Sequence, residues 1–95
     1  MADNDDFKRV TARFPIASTM EAAIRVYPDK NVIVFVQVRR MHNFIHWLCD
    51  NYDVDKVIKS RNVVLLDDGR EIVFMNEYKK SWGYERTKFV VVNYL

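Results

Sequence analysis

Asn31-Val32-Ile33-Val34-Phe35-Val36-Gln37-Val38 decides the fold. Five apolar residues stand in a row, mostly β-branched, with no polar alternation. Such a run predicts a strand over 31–38 that is buried on both faces, as in parallel sheets covered by helices. A second run of the same kind, Phe89-Val90-Val91-Val92, closes the chain. Neither run has a polar face, so the two are expected side by side, parallel and central in one sheet.

Upstream, residues 8–16 alternate. Val10, Ala12, Phe14 and Ile16 point one way, and Arg9, Thr11, Arg13 and Pro15 the other. Period two predicts a half-buried first strand, placed at a sheet edge beside Phe89–Val92. Ser18-Thr19-Met20-Glu21 has capping-box spacing, with Ser18 as the cap. Met20, Ala23, Ile24 and Tyr27 then follow as one apolar stripe, and Pro28 ends the helix. Downstream, Met41, Phe44, Ile45, Leu48 and Tyr52 mark a second helix over 40–52, and residues 54–61 suggest a further short helical turn. Val63–Leu66 and Ile72–Met75 flank Asp67-Asp68-Gly69-Arg70, a hairpin signal in which Gly69 supplies the positive φ. This hairpin is expected next to the 31–38 strand.

The fold expected is a single small α/β domain over residues 7–95, preceded by a disordered acidic lead, 1–6. Its mixed, mostly parallel sheet has about five strands and two main helices, in the order β-α-β-α-β-β-β. Ninety-five residues with 49% hydrophobic content fit one domain and no more. Only two glycines and two prolines exclude low-complexity or collagen-like sequence. One cysteine, Cys49, excludes an internal disulfide, and Met1-Ala2-Asp3-Asn4-Asp5-Asp6 is unlike a signal peptide. With no apolar run long enough to span a bilayer, a cytoplasmic protein is expected. The formal charge of +2 hides an asymmetry: residues 7–95 carry 15 basic and 10 acidic residues. A moderately basic body permits contact with nucleic acid or with an acidic protein surface.

Few residues offer chemistry. His42, His46 and Cys49 share one flank of the second helix. The run His42-Asn43-Phe44-Ile45-His46 lacks the glutamate that gives a zinc-hydrolase helix its general base, and spacing supplies no fourth ligand. Cys49 beside His46 lacks the helix N-terminus that activates a thiol. No catalytic, cofactor or metal residues are therefore assigned. Arg40, Trp47 and Asn51 occupy the other flank, and a tryptophan so far from the apolar stripe is a protein-interface candidate. The segment Tyr78-Lys79-Lys80-Ser81-Trp82-Gly83-Tyr84-Glu85-Arg86-Thr87-Lys88 interleaves aromatic and basic residues. Tyr78, Lys79, Lys80, Trp82, Tyr84, Arg86 and Lys88 form either a single-stranded nucleic-acid contact or a loop folded back onto the sheet.

Ala17-Ser18-Thr19-Met20-Glu21-Ala22-Ala23-Ile24 resembles the junction of a Walker A loop with its helix. The likeness is to P-loop motor ATPases, above all the large terminase subunits of tailed phages. In that family a strand, a helix, a hairpin and a basic segment follow, then a Walker B strand that lies between the first two strands. Phe89-Val90-Val91-Val92-Asn93-Tyr94 has the shape of that last strand. The chemical residues do not match. Ala17-Ser18 stands in place of Gly-Lys, Asn93 in place of the metal-associated Asp, and Tyr94 in place of the catalytic Glu. The resemblance implies a degenerate, non-catalytic relative: a phage-encoded accessory or inhibitor protein in the host cytoplasm, acting through protein contacts. The alternative is a small nucleic-acid-binding protein that uses residues 78–88.

Overall fold

Phe7, Val10 and Phe14 recur at helical spacing; in the computed structural model the first two lie on the inner face of a helix, α1 (Ala2–Arg13), and Phe14 continues the stripe just past its end. The structure describes residues 2–95, with side chains from Asp5 onward. The expected first strand over 8–16 is thus a helix as far as Arg13. Val10 and Phe14 satisfy a period of two and a spacing of four equally well. The helix is favoured because Phe7 extends that stripe by one turn, whereas Ala12 and Ile16, which the strand would have buried, are exposed. Of the acidic lead 1–6, Met1 lies outside the described residues, and the rest, expected as disordered, belongs to α1.

Pro15 ends the helical run, and residues 15–17 then become extended. Ile16 bridges Val91 in parallel, the Val91 amide donates to the Pro15 carbonyl at 2.9 Å, and the Ala17 amide donates to the Val91 carbonyl at 2.9 Å. The first segment does therefore reach the expected place beside the last strand, through three residues instead of nine. A short helix α2 (Met20–Val26) follows. Its cap is Thr19, not Ser18: the Thr19 hydroxyl accepts from the Ala22 amide at 3.0 Å.

β1 (Asn31–Phe35) is the apolar run, shorter than expected, because Val38 already opens α3 (Val38–Asn51). Residues 54–58 form a strand, β2 (Val54–Ile58), where a helical turn was expected; the 3-10 turn comes after it, at Lys59–Arg61. Asn62, with φ of 54°, turns the chain into β3 (Val63–Leu66), and β3 pairs antiparallel with β4 (Glu71–Met75) across Gly69, whose φ is +92°. A 3-10 turn (Tyr78–Ser81) leads to β5 (Phe89–Asn93).

The strand order is β2-β3-β4-β1-β5. β1 pairs in parallel with both β4 and β5, while β2–β3 and β3–β4 are antiparallel. The sheet is mixed, with fewer parallel pairings than expected. β1 lies in the interior and β5 at the end of the order, its outer side met by residues 15–17. Three helices flank the sheet, one more than expected. α2 and α3 cover Val32, Val34, Ile72, Phe74, Val90 and Val92. α1 covers Ile33, Phe35, Phe89 and Val91 on the opposite face. Alternate residues of β1 and β5 thus feed two cores, which is why neither strand carries a polar face. No helix among the described residues is long and apolar enough to cross a membrane.

Candidate functional site

β1 and β5 are adjacent and parallel, so their carboxyl ends open onto the same rim of the sheet. In open α/β sheets this rim is where crevices form. Here the chain leaves β1 into the first turns of α3 and leaves β5 at Tyr94, while α2 starts alongside. Thr19, the cap of α2, with Met20 and Glu21 of that helix, Arg40, Asn43, Phe44 and Trp47 from α3, and Tyr94 line an open groove of about 410 Å³.

Its floor is aromatic. The Phe44 and Tyr94 rings lie 4.7 Å apart, and the Arg40 guanidinium sits 5.4 Å above the Phe44 ring. Trp47 is 37% exposed at the rim, with its other edge against Tyr52. Of the three residues expected at an interface, Arg40 and Trp47 are brought together here. Asn51 is not: its amide donates to the Trp47 carbonyl at 2.8 Å, one turn back along the helix. Tyr94 and Phe44 are members of the groove that sequence reasoning missed. Phe44 was legible as part of the apolar stripe of α3, but no spacing tells that Tyr94 will meet it.

Two of the first amides of α2 are taken by side-chain oxygens. The Met20 amide donates to the Tyr94 hydroxyl at 2.8 Å and the Ala22 amide to Thr19. Tyr94 therefore plugs the start of the helix with its own oxygen.

The basic and aromatic segment 78–88 falls into two parts. Its tyrosines are half-buried and pack against the core. Tyr78 packs between Phe7 and Phe35, with ring centroids 5.1 and 5.0 Å away, and its hydroxyl donates to Asn93 at 3.2 Å. Tyr84 stands edge-on to Phe89 at 5.1 Å. α1 alone does not cover the sheet face that carries Phe35 and Phe89, and these rings complete the layer. Neither is free to stack on a base. Trp82 is half-buried, with the Arg9 guanidinium 5.3 Å from its ring centroid and Arg13 donating to its carbonyl at 2.9 Å. Its indole nitrogen is buried and finds no acceptor among the described residues. The cations stay outside: Lys79, Lys80, Arg86 and Lys88 are exposed, Lys80 donates to Asn76 at 2.8 Å, and Lys88 pairs with Glu85 at 3.5 Å.

His42, His46 and Cys49 are all exposed on the solvent face of α3, and no group of three or more His, Cys, Asp or Glu side chains among the described residues comes together to hold a metal ion. Comparison of the chain with protein-family models, curated proteins and solved structures found no significant match.

Proposed function

We propose that this chain is a non-catalytic binding protein that acts through protein contacts, with the groove between α2 and α3 as its docking surface. The observation that carries the reading is the exposed Trp47 beside an aromatic floor, with the Arg40 charge above it. Aromatic and arginine side chains at the centre of a concave patch are the residues that most often dominate protein association. Their chemistry fits a segment that inserts a large apolar side chain and places a carboxylate against Arg40. Tyr94 closes the start of α2 by accepting from the Met20 amide, which is compatible with a non-catalytic groove. The same plug, with β5 lying between β1 and residues 15–17, supports the reading of a degenerate ATPase-like fold and a phage-encoded accessory or inhibitor protein. Against it stands α1, which takes the place of most of the first strand.

A peptide library panned against the protein is expected to yield ligands that share an apolar residue next to an acidic one. Trp47→Ala should weaken them roughly thirtyfold, the equivalent of about 2 kcal/mol. Trp82→Ala should leave their affinity unchanged. Ligands indifferent to Trp47 would overturn the reading.

A second reading, nucleic-acid binding, is favoured by one observation: Arg9 and Arg13 of α1 converge on Trp82, which follows Lys79 and Lys80 by three and two residues in the sequence. With both tyrosines half-buried and packed against the core, such binding rests on phosphate contacts. Measured by fluorescence anisotropy on single-stranded oligonucleotides, it is expected to be weak and salt-sensitive. Lys79→Ala with Lys80→Ala should flatten the salt slope by about one unit per lost contact. Tight, salt-indifferent binding contradicts this reading.

A further inference from the structure

On the solvent face of α3, turned away from the groove, His42 and His46 stand four residues apart with ring centroids 5.8 Å from each other. Histidines at this spacing on one helix face give the two-point bite that binds zinc in metallohydrolase helices. Here a further contact prepares one of them. Nδ1 of His46 lies 3.3 Å from the Asp50 carboxylate, one turn further on. A carboxylate is an acceptor, so this contact selects the neutral tautomer with the proton on Nδ1, which leaves the Nε2 lone pair for a metal. This is the histidine–carboxylate pairing that orients and strengthens imidazole ligands in metal sites. His46 and Asp50 are 67% and 66% exposed, so an ion reaches the pair without rearrangement of the core.

From these contacts we propose that His42 and His46 form a two-histidine surface chelate for a borderline divalent transition ion, of the class of Zn²⁺ and Ni²⁺, with Asp50 as the positioning residue. Imidazole donors select such ions over Mg²⁺ and Ca²⁺, which require oxygen. With only two protein donors, the remaining coordination positions are filled by water. The site thus differs from the closed or hydrolytic centres whose further ligands and general base are lacking here. Arg39 and Cys49 share the solvent face. The Arg39 guanidinium is held by the Gln37 side chain at 2.9 Å. Cys49 is outside the proposed ligand set. A bound ion ties two successive turns of α3 together, so it stabilises the helix. The proposal does not depend on the groove, because the groove uses the opposite flank.

Calorimetric titration of the full chain with Zn²⁺ tests this. One ion per chain is expected, together with a Zn²⁺-dependent rise in the thermal midpoint. His42→Gln and His46→Gln should each weaken binding by at least about tenfold and abolish the rise. Asp50→Asn should weaken binding by up to about tenfold, the lower end of the effect of an orienting carboxylate. Cys49→Ser and substitution of Mg²⁺ are the controls, the first leaving Zn²⁺ affinity unchanged and the second giving no rise. All the substituted side chains are exposed, so the variants retain the fold. Zn²⁺ affinity that survives the double change H42Q/H46Q, that is lost in Cys49→Ser, or that is absent from the wild type overturns the proposal.

Discussion

Phe35→Ala is expected to cost about 3–5 kcal/mol, the range for truncating a buried phenylalanine. Small domains hold only about 5–15 kcal/mol in total, so this one change consumes much of the margin. Phe35 is fully buried at the end of β1, with Met75 of β4 and Asn93 of β5 as its register partners. Its ring also meets Tyr78 edge-on, and Tyr78 in turn packs on Phe7 of α1. Truncation therefore opens a void where the sheet, α1 and the 78–81 turn meet. Neighbouring strands cannot collapse into it without breaking the parallel pairings on either side of β1. Urea unfolding followed by circular dichroism checks the value. Val57→Ala, on the outermost strand and half-buried, serves as the contrast and should cost about 1 kcal/mol or less. Equal losses at both positions would show that β1 does not organise the core.

The apolar runs were the most legible part of the fold because their signal is local. A strand covered on both faces must be apolar along its covered length, and Val32–Phe35 of β1 and Phe89–Val92 of β5 are. The Asp-Asp-Gly-Arg turn was legible for the same reason, since positive φ at Gly69 is a property of one residue. The first segment was not. Val10 and Phe14 fit either period, and the residues that separate the two, Phe7 and Ala12, are an aromatic one turn earlier and a small side chain indifferent to burial. β2 was hidden by its place at the sheet edge. Asp55 and Lys56 are exposed, and a register shift between Val54 and Lys56 breaks the alternation that would have announced a strand. The bulge and the lysine protect that edge from pairing with other chains, and the same features erase the pattern.

The candidate groove was half legible. Arg40 and Trp47 stand out because large side chains lie off the apolar stripe of α3, and that is visible on a helical wheel. Tyr94 joins them only through the pairing of β5 with β1, a contact between residues far apart in sequence. Residues 78–88 left two outcomes open. Their alternation of rings and cations suggests a stacking surface, but whether a ring faces solvent depends on how much of the sheet α1 leaves bare. The same limit hid the residue that ties the hairpin to α2. Arg70 reads as a turn residue, yet its guanidinium donates to the carbonyls of Ile24 at 2.7 Å and Tyr27 at 3.3 Å, and to Asp68 at 2.8 Å.

Arg70→Ala is accordingly expected to destabilise the fold by about 1.5–3 kcal/mol, the worth of hydrogen bonds to a charged group. α2 has only seven residues, too few to persist without tertiary support. Arg70 caps its last carbonyls and places a positive charge at the negative end of the helix. Arg70→Lys should recover only part of the loss, because one ammonium cannot reach both carbonyls and the Asp68 carboxylate in the planar geometry that guanidinium provides. The pH dependence separates the ion pair from the cap. Burial pushes the Asp68 carboxyl up, but the Arg70 amide, the Arg70 guanidinium and its charge outweigh this and hold the group below the ordinary aspartate value of 3.8. A depressed folded-state value means that the contribution is present above the unfolded value and is lost as pH falls through the folded one. Wild-type stability should therefore fall in acid below about pH 4 through this pair, and the same fall should be shallower in Arg70→Ala. Asp68→Asn should flatten the acid profile likewise while keeping most of the stability at neutral pH, since the Arg70 bonds to Ile24 and Tyr27 remain. If Asp68→Asn costs as much at neutral pH as Arg70→Ala, the ion pair and not the helix cap is what Arg70 contributes.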